Sequence, residues 1–237
     1  MNLTVARLTA GALLGRRRLL LLLPMPVLLI GLTLLGVAEG QEPEHWGMIV
    51  LGQLGLGVIL PLTALIVGTS VLGLEIEDHT IIHVLSKPVP RYEIIHAKLA
   101  VAFGVTFVTT ALPLAVAGVI AESATLAVAL AIGAAIAALA YSALFLALSL
   151  ITRRPVAAGL VYIMLWENVL TDYVDGAKVF SVRQYTTTIA DKISGSALLE
   201  GELSTTTAAI LAAVFVVAGT VLATTRLRSF SLTGETG

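Results

Sequence analysis

Residues 123–152 read SATLAVALAIGAAIAALAYSALFLALSLIT, an uninterrupted stretch without one charged side chain. As a helix rising about 1.5 Å per residue it would extend about 45 Å, more than the roughly 30 Å hydrocarbon core of a bilayer. The period-2 alternation of a membrane barrel strand is missing. Only a helix or a closed barrel satisfies its own backbone in lipid, so this stretch decides for a membrane helix.

Working outward, further uncharged runs follow the same logic: residues 19–38, 46–74, 99–121 and 203–225. A sixth run starts at Pro155 and is interrupted by Glu167. It counts as a span because residues 157–165 are strongly apolar and Trp166 suits an interface, with Glu167 near the outer end where its charge reaches water. The chain is 57% hydrophobic and 12% charged, against about 25% charged in a soluble domain, so lipid must cover part of it. A net charge of −1 argues against a nucleic-acid binder, which would need a basic face, and the absence of cysteine removes disulfide and thiolate chemistry.

Lys and Arg set the orientation. Of 14, 11 fall on one side: Arg7 and Arg16–Arg18, then Lys87, Arg91 and Lys98, then Arg153 and Arg154, then Arg226 and Arg228. Lys178, Arg183 and Lys192 fall on the other. The positive-inside rule then places both termini in the cytoplasm, and the alternation holds only if the run after Pro155 crosses the membrane. The fold class expected is an all-α polytopic membrane protein with six transmembrane helices. Residues 1–18 form an amphipathic leader on the inner surface. Spans lie at about 19–38, 47–74, 98–121, 124–151, 155–171 and 203–225, with an inner loop at 75–97, an outer segment at 172–202 and a tail at 226–237. Arg16–Arg18 before a leucine run resembles a signal peptide, but the apolar stretch is too long and no A-x-A site follows. Pro61 and Pro113 are expected to kink the second and third spans, and the small-xxx-small pairs of spans four and six (Gly133/Ala137, Ala134/Ala138, Ala208/Ala212, Ala209/Ala213) to serve packing.

The inner loop carries the functional reading. Glu75, Glu77 and Asp78 precede an apolar stripe of Ile81, Ile82 and Leu85, and Lys87, Pro88 and Pro90 close it. Acids suit a helix start, and proline stops what precedes it. Such a capped amphipathic helix fits a groove on a cytoplasmic partner or rests on lipid headgroups. His79 and His83 have the spacing of a zinc protease helix, but Thr80 stands where the catalytic Glu belongs, so no metal or catalytic site is assigned. Gln53, Glu167 and Asn168 are polar groups near membrane depth and are the candidates for a translocation pathway.

The run Glu75-x-Glu77-x-x-Thr80, then Leu85-Ser86-x-Pro88-Val89-x-Arg91, with Lys98 beyond, resembles the signature of type-2 ABC exporter permeases. His79 departs from it, since relatives usually have Gly before the Thr. The resemblance implies a permease in a bacterial plasma membrane, paired with a second permease copy and seated on separate ABC ATPase subunits that carry ATP and magnesium. It also implies that Glu75, Glu77, Asp78, Thr80, Ile81, Leu85, Pro88 and Arg91 form the ATPase-coupling junction. No G-x-x-x-x-G-K-[ST] loop is present on this chain, which fits a separate ATPase. The rival classes are an ATP-independent channel or ion-coupled carrier, and an intramembrane enzyme. Spans one to four and six lack the acids or bases of an ion relay, and no nucleophile–base pair appears.

Overall fold

The computed structural model describes residues 3–13, 22–77 and 90–229, and among these there are helices and turns but no strand. Helix α1 is Leu3–Leu13 and α2 is Pro24–Ala38. Helix α3 runs through Pro43–Gly47, Met48–Ile59 and Leu60–Glu77. Next come α4, Arg91–Ala121, and α5, Ala124–Ile151. Helix α6 comprises Pro155–Val161, Tyr162–Leu170 and Thr171–Tyr173. A 3₁₀ turn, Asp175–Phe180, leads into α7, Val182–Ser194, and α8 is Thr205–Ser229.

Four of these helices are long and apolar enough to cross a membrane: Pro43–Gly73, Arg91–Ala121, Ala124–Ile151 and Thr205–Leu227. Two shorter apolar helices are Pro24–Ala38 and Pro155–Leu170. The protein is therefore an all-α, multi-pass membrane protein. Helix boundaries follow local chemistry. Proline sits in the first turn of α2, α3 and α6, where its missing N–H costs nothing. Ser123 Oγ accepts from Leu126 N at 3.1 Å and starts α5, two residues after α4 ends. Gly195 takes φ 61° and closes α7 in the left-handed conformation that glycine adopts without strain.

Helix α5 is the axis, with α3, α4, α7 and α8 packed around it. In lipid there is no hydrophobic gain from bringing two apolar helices together, so close backbone approach must do the work. Ala129, Ala134, Ala137, Ala138 and Ala140 are all at or below 1% exposure and supply it. Gly118 of α4 lies so near α5 that a Cβ there would meet the Ala127 Cα at 2.9 Å. Gly219 of α8 bears in the same way on Ala143, at 3.1 Å. The paired small residues divide on α8: Ala208 and Ala212 are buried, while Ala209 and Ala213 face outward. Within their apolar windows, α5 is 67% buried and α8 only 17%. The axis is thus enclosed by protein, and α8 leaves most of its surface uncovered within the chain.

Helix α4 begins at Arg91, so residues 91–97, assigned to the inner loop, form its first turns. Their charges are compatible with helix turns that project beyond the apolar layer. In α3 the turns over Met48–Ile59 are widened to i−5 hydrogen bonding, with Leu60 N donating to Gly55 O. Pro61 follows, lacking the N–H that would bond Gly57 O, so the helix approaches its proline through loosened turns. Helix α1 packs on α3 and α4 through buried Thr9 and Leu13, leaving Leu8 exposed.

Candidate functional site

Glu167 is fully buried. Its carboxylate accepts from Tyr141 Oη at 3.0 Å, Tyr162 Oη at 3.0 Å, Val182 N at 2.9 Å and Arg183 N at 3.4 Å, and from Ser181 Oγ. A buried carboxylate is costly unless such donors replace its water. Here the donors come from α5, α6 and the start of α7. The first-turn amides of α7 also present the positive end of that helix to the anion. Ser181 serves twice, since its Oγ accepts from Gln184 N at 3.2 Å as the cap of α7.

This corrects the reading of Glu167 as a side chain near the outer boundary with access to water. The Tyr141 Cα lies about 25 Å along α5 from its first residue, so the network meets the axis well inside the helix. The reason is the fold-back after α6: the turn 175–180 returns the chain so that α7 runs along α5. Gly133 makes room for it, since a Cβ there would meet Thr186 Cγ2 at 3.1 Å. What reads as a loop boundary is an internal corner. Within α7, the buried Tyr185 donates its hydroxyl to the Val179 carbonyl.

The other two pathway candidates separate from Glu167. Asn168 Nδ2 donates to Ile163 O of its own helix at 2.8 Å. Gln53 is exposed and lines a polar cleft of about 130 Å³ between α3 and α7, together with Arg183, Gln184, Glu200 and Glu202. The side chain of Lys178 pairs with Glu202 at its rim.

At the inner-loop end of the bundle lie the residues flanking that loop. Glu75 and Glu77 stand in the last turn of α3. Asp78, Thr80, Ile81, Leu85 and Pro88 lie outside the described residues, as do His79 and His83. Arg91, the first residue of α4, donates from Nη1 to Leu227 O at 3.1 Å, one of the last carbonyls of α8, which have no partner within their own helix. Lys98 is fully buried and its Nζ donates to Val71 O of α3 at 2.8 Å. The two ends of the loop are thus tied to the bundle: α4 to α3 through Lys98, and α4 to α8 through Arg91.

Sequence reasoning identified Glu167, Gln53 and Arg91 but not the partners that give them meaning. Tyr141 is the single tyrosine in residues 123–152, and a phenol hydroxyl in an apolar axis needs an acceptor; that signal was available. The pairing of Lys98 with a backbone carbonyl had none.

With this geometry in place, the comparisons fix the class. The profile of the ABC-2 family transporter proteins matches residues 16–173, which is most of the chain, and the protein belongs to that family. Such proteins are the membrane components of ABC transporters and work with ABC ATPase partners. A search of curated proteins found no match.

Proposed function

We propose that the chain is the permease subunit of an ATP-driven exporter, crossing a bacterial cell membrane six times with both termini in the cytoplasm. It pairs with a second permease copy and is driven by separate ABC ATPases that bind ATP and magnesium. The segment from Glu75 to Arg91 is the lever on which those ATPases act. The distribution of Lys and Arg supports the orientation.

The single observation that carries the coupling is the tying of both ends of the loop to the helix bundle. A displacement applied between Glu77 and Arg91 cannot be absorbed by α4 alone, because Lys98 engages α3 and Arg91 engages α8. Both neighbours pack on the axis α5. ATP binding can then favour one arrangement of the spans through its differential affinity for the two states. An ion-coupled carrier is the weaker reading, since the buried acid that it would use, Glu167, already holds five donors. Co-expression with an ATPase encoded beside this chain should yield a complex that hydrolyses ATP in proteoliposomes. Recovery of the permease alone from cells making both would overturn the proposal.

A further inference from the structure

The cleft between α3 and α7 contains polar groups that the fold itself does not use. Gln184 is 9% exposed and its side-chain amide has no hydrogen-bond partner among the described residues. Gln53 and the half-buried guanidinium of Arg183 are likewise without a partner among the described residues. The hydrogen bond between Glu167 and Arg183 runs through the backbone amide, not the guanidinium. The glycine at 57 lets the arginine lie against α3: a Cβ there would come within 3.3 Å of Arg183 Cδ and Nε. A guanidinium is a planar fork suited to an oxyanion, and side-chain amides can donate beside it. Arg183, Gln184 and the exposed Gln53 converge on one small space, and two carboxylates, Glu200 and Glu202, stand at the same cleft.

We propose that this cleft binds a compact zwitterion, with its phosphate or carboxylate against Arg183, Gln184 and Gln53 and its ammonium toward Glu200. Glu202 is engaged by Lys178, so Glu200 is the carboxylate assigned to the cation. A volume of about 130 Å³ admits a headgroup-sized molecule and excludes a drug-sized one. Phosphoethanolamine has this chemistry, whether free or as the headgroup of phosphatidylethanolamine. The site does not depend on the chain being driven by an ATPase, so its failure and the failure of the exporter reading are separate results.

The test is equilibrium binding to the full chain in nanodiscs of phosphatidylglycerol, with phosphoethanolamine and inorganic phosphate as probes. Wild type should bind phosphoethanolamine saturably. Arg183→Gln should weaken both probes at least tenfold. Glu200→Gln, an exposed position whose change leaves the fold intact, should weaken phosphoethanolamine severalfold and leave phosphate unchanged. Adding phosphatidylethanolamine to the discs should raise the apparent Kd of the free probe if the lipid headgroup is the occupant. An unchanged Kd in that arm, with the variant effects intact, supports a soluble occupant of the same site. Absence of saturable binding to wild type, or Glu200→Gln and Arg183→Gln both binding like wild type, would overturn the proposal.

Discussion

The middle of the helix bundle and its inner-loop end are held by opposite chemistries. Around Glu167 a single anion gathers donors from α5, α6 and α7 at one point. At the loop end two cations, Lys98 and Arg91, reach backbone carbonyls of neighbouring helices and join α4 to α3 and α4 to α8. A point at which three elements meet on one group is rigid, since displacing any element breaks bonds to all. Pairwise ties on backbone carbonyls transmit a push yet leave each helix free to re-seat. The contrast suits a transporter moved from one end, with the Glu167 corner inside the bundle as its fixed part and the lever segment at the loop end.

Removing the anion should have the largest effect. Glu167→Ala strands the Tyr141 hydroxyl and the Val182 amide in a buried space and should cost about 3 kcal/mol. Unfolding of the purified protein in a denaturing detergent series measures it. Wild-type stability would mean that the corner is not held by this group. Lys98→Ala comes next, with an expected loss of about 2–3 kcal/mol from the cavity and the lost bond to Val71, while Lys98→Met should be much closer to neutral because it fills the same volume without a charge. Equal losses from both would show that the cation itself is indispensable, which sharpens the contrast. Gly118→Ala drives a Cβ against the Ala127 backbone and should cost about 1–3 kcal/mol, read as a lowered Tm, because backbone cannot move aside as a flexible side chain can. Arg91→Ala should cost only about 1 kcal/mol, since its partner carbonyl lies at a helix end where water can replace it. Its consequence belongs in ATP-driven transport more than in Tm.

Much of the fold is legible because charge-free length is a strong signal. The run 123–152 announces α5, and the stretches opening at Pro24, Pro43 and Pro155 carry their own helix starts. What could not be read is tertiary. Nothing local shows that residues 175–180 turn the chain back so that α7 lies along α5, because the decisive contact, Gly133 against Thr186, joins positions far apart in sequence. Glu167 illustrates the consequence. Its position in the run suggests an edge, and only the returning amides of Val182 and Arg183 make it an interior anchor. Gln53 and Gln184 likewise become neighbours only through that fold-back.

The account rests on the segment after α3 being the lever. Its most direct test is the double variant Glu75→Ala/Glu77→Ala, assayed with its ATPase in proteoliposomes for ATP hydrolysis and export together. The lever predicts normal membrane insertion and continuing hydrolysis with export lost. Export at the wild-type rate from that variant would contradict it.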